Sequence, residues 1–208
     1  MLKTYEEQLD SDMEWALSEG SLHFDQKSVV HSALREITQR LDALQIPYAV
    51  VGGMALFLHG YKRFTDDVDL LVTPAGLKAI HERLIGLGYV PLFEGSKNLR
   101  DAARGVRIEF LVTGGFPGDG KPKPVVFPDP ADTFVDRNGI HCLSLEKLID
   151  LKLASALSNP GRVRDFGDVQ DLIRILGLEA EFAERLDPSV REKFIELWRG
   201  VKDDRASE

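Results

Sequence analysis

Three aspartates within four positions are the first residues of this chain whose type and spacing could do chemistry. They stand in the stretch TDDVDLLV at residues 65–72. In an extended strand, residues i and i+2 point to the same side, so Asp67 and Asp69 share one face and Asp66 belongs to the preceding turn. Two adjacent carboxylates repel each other, and a hard divalent cation such as Mg²⁺ would relieve that repulsion. Two interpretations remain open, a solvated turn that runs into a strand or a metal site.

A third carboxylate, Glu109, lies in the later stretch GVRIEFLV, where apolar and polar residues alternate. This alternation predicts a strand with one apolar face and with Arg107 and Glu109 on the other face. If the strand lies beside the one that carries Asp67, Glu109 would complete a cluster of three carboxylates. The alternative is that Glu109 is a surface residue paired with Arg107.

A glycine pair, Gly52-Gly53, ends the apolar stretch YAVV and precedes a short helix predicted for MALFLHG. Glycines at the end of a buried strand let the backbone approach a ligand, and the free N–H groups of the following helix can bind a phosphate. Arg63, just before the aspartates, could contact a polyphosphate. These features favour a phosphate site beside the aspartates.

Two charged residues fall on predicted apolar helix faces. Lys152 lies in the middle of the apolar stripe of SLEKLIDLKLASAL, and Asp165 lies on the stripe of RVRDFGDVQDLIRIL, with Asp168 at its edge. One interpretation is a Lys152–Asp165 ion pair that joins the two helices. The other is that both side chains face a nucleotide cleft.

This set of residues resembles the polymerase-beta-type nucleotidyltransferase superfamily. Its pattern is a glycine pair or Gly-Ser, a spacer, an Asp-x-Asp strand and a later strand carboxylate. The resemblance implies that two Mg²⁺ ions and an NTP substrate bind here, with Asp67 and Asp69 as catalytic metal ligands. It implies that Glu109 is also catalytic, either as a metal ligand or by helping to deprotonate the attacking hydroxyl. It also implies that Gly52, Gly53 and Arg63 contact the phosphates. Many members have a phosphate-binding serine at the second glycine position, where this chain has Gly53.

The stretch LHGYKRFTDDVDLLV, with a later helical lysine and an RD pair, is similar to a narrower branch. This branch contains the abortive-infection toxins of type IV toxin–antitoxin pairs. The similarity implies that Lys152 and Asp165 act in the catalytic site, with Asp168 as the second choice for the aspartate. Lys152 would also contact the nucleotide.

The implied reaction is Mg²⁺-dependent transfer of a nucleoside monophosphate from an NTP to a hydroxyl acceptor. The acceptor could be RNA, such as a tRNA, if the protein acts as a toxin with an antitoxin partner. It could instead be a small molecule, as in antibiotic-inactivating relatives, or the protein could bind nucleotide or a partner without catalysis. A basic rim for RNA could consist of Arg100, Arg104, Arg107, Lys121 and Lys123.

The predicted helices and strands that must position these residues indicate an α/β (α+β) fold. We expect a mixed nucleotidyltransferase-type sheet that is flanked by helices and followed by a small helical part. We expect an N-terminal helical extension over 1–24 and the α/β domain over 25–142. A C-terminal helical part over 143–202 and a disordered tail over 203–208 would follow. The loop-rich stretch GGFPGDGKPKPVVFPDPAD carries much of the glycine and proline.

The composition narrows the class of protein. The 208 residues have a formal net charge of −8 and one cysteine, Cys142. The charge argues against broad non-specific nucleic-acid binding, and the single cysteine excludes an internal disulfide. The sequence shows neither an N-terminal signal peptide nor an apolar run of transmembrane length. We therefore expect a cytoplasmic protein without a membrane partner.

Overall fold

A computed structural model describes residues 3–206 as a seven-stranded mixed sheet covered by helices. The strands are β1 (Tyr48–Val51), β2 (Asp67–Val72), β3 (Tyr89–Pro91), β4 (Leu99–Asp101), β5 (Arg107–Val112), β6 (Phe134–Arg137) and β7 (Ile140–Leu143). Their order across the sheet is β3-β4-β5-β2-β1-β7-β6. The predicted fold class is confirmed.

Nine α-helices are present within the described residues. They are α1 (Tyr5–Ser11), α2 (Met13–Phe24), α3 (Val29–Ala43), α4 (Gly52–Leu58), α5 (Pro74–Leu84), α6 (Pro130–Thr133), α7 (Leu145–Ser158), α8 (Val163–Leu176) and α9 (Pro188–Ala206). None of these helices is long and apolar enough to cross a membrane.

The central strands explain why the sequence folds this way. β1 is buried along its whole length, and β2 alternates half-buried aspartates with buried Val68 and Leu70 before ending in buried Leu71 and Val72. β1 pairs with β2 in antiparallel register, and β2 pairs with β5 in parallel register. A strand that is buried along its whole length, as β1 is, needs helices to cover the sheet. Helix α4 contacts β1 and β2, and α3 contacts β2.

The N-terminal helices are less peripheral than an extension would be. Tyr5 of α1 is buried and belongs to the same hydrophobic cluster as the sheet. Its hydroxyl donates to the carboxylate of Glu19 at 3.0 Å, and its backbone N–H donates to the carbonyl of Gly105 at 3.2 Å. The N-cap of α3 is Ser28, whose side chain accepts from the backbone N–H of His31.

The C-terminal end differs from its expectation. Helix α9 continues to Ala206, so a disordered tail from residue 203 is wrong for 203–206. The sequence KDDRA contains no glycine or proline that would break a helix begun at Pro188. Residues 207–208 of the expected tail lie outside the described residues.

Candidate active site

The strand pair β2 and β5 brings the predicted carboxylates together. Their parallel register places Asp69 beside Glu109 and Asp67 beside Arg107. The aspartates and Glu109 line one cleft of about 970 Å³, whose walls also include Gly52, Gly53, Arg63, Lys152 and Asp165. Every residue that the sequence singles out for the site is therefore on this cleft.

Gly52 is a glycine because the Asp69 side chain lies against it. Its φ of +61° is in the left-handed region, and a Cβ built on Gly52 would overlap the Asp69 carboxylate, with the Asp69 Cγ only 2.7 Å away. A larger residue would push the carboxylate out of place. The glycine turn after β1 thus fixes the position of Asp69 from the neighbouring strand.

The electrostatics of Asp69 are unfavourable without a cation. Burial, and after it the charges of Asp67 and Glu109, raise the pKa of the Asp69 carboxyl to about 8, against a lowering by Lys152 and Arg107. Burial and the nearby Asp67 also raise the pKa of Asp66. A cluster of carboxylates that disfavours its own ionisation suits a bound cation.

Arg107 supplies part of the counter-charge at this point of the cleft. Its Nη2 lies 3.2 Å from Asp67 Oδ2, and its Nε lies 3.1 Å from Glu109 Oε1. As the described side chains stand, no three histidine, cysteine or carboxylate groups form a ready metal site. The adjacent pair Asp67 and Asp69 fits the hard oxygen ligands of Mg²⁺, whereas Glu109 would have to leave Arg107 to join them.

Lys152 is buried and holds two aspartates of α8. Its Nζ lies 2.9 Å from Asp165 Oδ1 and 2.6 Å from Asp168 Oδ2. Arg63 binds the same Asp168, with Nε 3.1 Å from Oδ1. Both interpretations of Lys152 and Asp165 therefore hold. The two side chains form an ion pair between α7 and α8, and the residues of this cluster also line the cleft.

The burial of the two α8 aspartates is the reverse of what the helical pattern predicts. Asp168 is buried, while Asp165 is only half-buried. The buried residues of α8 are Asp168, Val169, Leu172 and Ile173, which centre its inner face nearer to Asp168 than the sequence pattern indicates. Both aspartates nevertheless line the cleft.

The expected basic rim is largely neutralised by carboxylates. Arg100 pairs with Glu6 at 2.7 Å, and Arg104 pairs with Glu36 at 2.7 Å. Lys123 pairs with Asp119, and Arg107 is held within the carboxylate cluster. Four of the five expected rim residues are therefore paired with carboxylates, whereas Lys121 is exposed.

Three other cleft residues escaped the sequence analysis. Arg162 and Arg164 are exposed and line the cleft beside the start of α8. Both arginines belong to the RVRD segment, in which the sequence pattern singles out only Asp165. Thr65 is buried in the cleft wall, and its Oγ1 donates to Asp67 Oδ1 at 2.8 Å. The sequence signals for Thr65 are its place two residues before Asp67 and its position in the stretch LHGYKRFTDDVDLLV, which is similar to the abortive-infection branch.

Known structures share the fold. An antigenic nucleotidyltransferase-like protein from Paracoccidioides brasiliensis is 18% identical, with 85% of this chain and 89% of that chain covered at a TM-score of 0.52. The solution structure of the antibiotic-resistance factor ANT(2″)-Ia is 17% identical, with 85% and 97% covered at a TM-score of 0.50. At such identities the likeness is one of fold alone.

A family model covers most of the chain. No curated protein matches this chain significantly. Residues 33–196 of the 208 match the family described as nucleotidyl transferase AbiEii toxin, type IV TA system. The match spans β1, the glycine turn, β2, β5 and the helices α7 and α8, which together build the cleft. It confirms the resemblance to the abortive-infection branch of the nucleotidyltransferases, and the chain belongs to the AbiEii nucleotidyl transferase toxin family.

Proposed function

We propose that this protein transfers a nucleoside monophosphate from an NTP to a hydroxyl acceptor and releases pyrophosphate. The observation that carries the proposal is the β2–β5 register, which sets Asp69 beside Glu109 and next to Asp67 on the cleft. Membership of a nucleotidyl transferase family supports the same reaction.

In this proposal, Asp67 and Asp69 hold Mg²⁺, with Glu109 as a further ligand. Bound Mg²⁺ would supply charge neutralisation of the triphosphate and a lower pKa for the acceptor hydroxyl. Gly52 keeps Asp69 in place, and the backbone of Gly53 and the guanidinium of Arg63 face the phosphates. Lys152 balances negative charge at the end of the cleft, where Asp165 and Asp168 orient its ammonium group.

We propose RNA, such as a tRNA, as the acceptor, because the family is described as a toxin of a type IV toxin–antitoxin system. The same description makes an antitoxin protein the proposed partner. The exposed Arg162 and Arg164 on the cleft could meet an RNA backbone, in place of the paired arginines of β4 and β5. The antibiotic-resistance factor shares only the fold, so a small hydroxylated acceptor serves as the comparison in the test.

The test is label transfer from each of four α-³²P-labelled NTPs to total tRNA, with an aminoglycoside as the second acceptor. We expect labelled tRNA with at least one NTP, abolished by EDTA and by Asp69→Asn. The matched control is Asp132→Asn, the same change at an exposed residue outside the cleft. Transfer that survives Asp69→Asn would show that the assignment of the carboxylates is wrong. Label on the aminoglycoside alone would replace the RNA acceptor.

A further inference from the structure

Two residues from different elements compete for one space in the cleft wall, Gly53 at the start of α4 and Thr65 before β2. A Cβ built on Gly53 would lie 2.5 Å from Thr65 Oγ1, 2.7 Å from Thr65 Cβ and 3.1 Å from Thr65 Cγ2. The first two distances are shorter than real Cβ atoms show, and the third is tighter than most Cβ contacts. The side chain of Thr65 therefore occupies the volume that a side chain at position 53 would need.

The hydroxyl of Thr65 is a built feature of the wall. Thr65 is 7% exposed, and its Oγ1 donates to Asp67 Oδ1 at 2.8 Å. Both residues line the cleft, as does Arg63, two positions earlier. A hydroxyl has one proton and rotates freely about its C–O bond, so it can move its donated hydrogen bond from a carboxylate to a ligand oxygen.

An anionic oxygen is the acceptor that this place favours. Gly53, Thr65 and Arg63 all line the cleft, and the Gly53 backbone, the Thr65 hydroxyl and the Arg63 guanidinium can each donate hydrogen bonds. Thr65 is an uncharged donor already hydrogen-bonded to Asp67, so it can bind an anion there without adding a fixed charge beside the aspartates. Phosphate oxygens accept such bonds strongly because they are charged.

We propose that Thr65 is a substrate-positioning residue that donates its hydroxyl hydrogen bond to a phosphate oxygen of the bound nucleotide. The hydroxyl would come from the segment before β2, into the space that Gly53 leaves open at the start of α4. The inference rests on the proposed function, because it needs a nucleotide in the cleft. It assigns to this chain a phosphate contact that position 53, a glycine, does not make with a side chain.

The competing explanation is that Thr65 only orients Asp67. The two explanations predict different effects on metal binding in the absence of nucleotide. If Thr65 only orients Asp67, removal of its hydroxyl should weaken Mn²⁺ binding as much as nucleotide binding. If Thr65 contacts phosphate, Mn²⁺ binding should be nearly unchanged while nucleotide binding falls.

The experiment is calorimetric titration with Mn²⁺ alone, and then with the four α,β-methylene NTP analogues in Mg²⁺. For the analogue that binds best, we expect about tenfold weaker binding by Thr65→Val, since a hydrogen bond to a charged group is lost. Thr65→Ser keeps the hydroxyl and should bind within about twofold of wild type. Thr65→Ala is the second hydroxyl-free variant if the valine variant fails to fold.

A hydroxyl swap tests the geometry itself. Gly53→Ser alone should lower the melting temperature, because its Cβ overlaps Thr65. The double variant Gly53→Ser/Thr65→Gly removes the overlap and returns a hydroxyl to the same space from the other side. We expect it to melt above the single serine variant and to recover most of the lost nucleotide affinity.

The outcomes separate this inference from the proposed function. Wild-type binding of an analogue with unchanged affinity in both hydroxyl-free variants would overturn the role of Thr65 and leave the proposed function standing. Equal losses of Mn²⁺ and nucleotide affinity would also overturn it, in favour of an orienting role. Failure of wild type to bind any of the four analogues would overturn both.

Discussion

At the scale of single residues, Asp69 is the side chain on which the cleft depends most. It lies against Gly52, beside Glu109 across the β2–β5 pair and close to Asp67. Burial and these two carboxylates raise its pKa to about 8, so the metal-free protein holds a proton there that the unfolded chain would lose at a lower pH. The stability of the protein should therefore report on this residue directly.

We predict that in EDTA the melting temperature of wild type falls as the pH rises from about 5 to about 8.5. Between the ordinary carboxyl pKa and the raised one, the folded state binds more protons than the unfolded state, so raising the pH favours unfolding. Asp69→Asn should lose part of this fall and melt above wild type at about pH 8.5. Differential scanning fluorimetry measures both.

Asp132→Asn is the control and should follow the wild-type profile, because this exposed aspartate lies outside the cleft. Adding Mg²⁺ at the higher pH should raise the melting temperature of wild type more than that of Asp69→Asn. Identical pH profiles for wild type and Asp69→Asn would contradict the electrostatic conflict in the cleft.

The strand residues were predictable from the sequence because strand phase is simple. A period of two fixes that Asp67 and Asp69 share a face and that Glu109 lies on the polar face of β5. The helix aspartates are harder to predict, because the apolar residues of α8 include Leu176, which is 37% exposed and so does not mark the buried face. A small error in locating the centre of the apolar stripe of a helix exchanges the predicted burial of Asp165 and Asp168.

At the scale of elements, the contact between α7 and α8 depends on a buried charge cluster. Lys152 is 7% exposed and meets Asp165 and Asp168, while Arg63 reaches Asp168 from the segment before β2. A buried pair of this kind costs stability when one partner is removed, because the other is left without compensation. The cluster therefore couples helix packing to one end of the cleft.

We predict that Lys152→Met destabilises the protein by about 3 kcal/mol in urea unfolding, since two aspartates lose their shared cation. Adding Asp168→Asn to Lys152→Met should recover part of the loss. The matched control is Lys78→Met, which removes the same side chain from an exposed pair with Glu82 and should change stability little. A loss no larger than that of the control would contradict a buried cluster.

The short elements were not predictable from local pattern. Strands β3 and β4 have three residues each, and β3 contains Pro91, which argues against a strand by itself. They form because β5 offers an edge to β4, and β4 in turn offers one to β3. Such pairing depends on distant residues that a window of sequence does not contain.

At the scale of the whole molecule, the N-terminal helices are part of the folded body. Tyr5 is 1% exposed, its ring packs edge-on against Trp15 at 5.3 Å, and its hydroxyl binds Glu19. Glu19 in turn accepts from the backbone N–H of Val29 at the start of α3. Helices α1 and α2 lie before the family match, which begins at residue 33.

We predict that Tyr5→Ala destabilises the whole protein by about 3–5 kcal/mol, because a large core side chain is deleted. Tyr5→Phe is the matched control, which keeps the ring and removes one hydrogen bond, and it should cost about 1 kcal/mol. Chemical unfolding should remain one transition. Equal losses for the two variants, or a separate early transition for Tyr5→Ala, would mean that α1 is not part of the common core.

The helices α1 and α2 also change how the acidity of the chain should be understood. Residues 1–25 hold seven acidic residues and one lysine, a charge of −6, so residues 26–208 carry −2 of the total −8. The low isoelectric point of about 5.2 therefore comes mostly from the acidic residues at the N-terminal end of the chain. Residues 26–208, which form most of the cleft, are nearly neutral, so the total charge of the chain does not by itself describe the charge around Arg162 and Arg164.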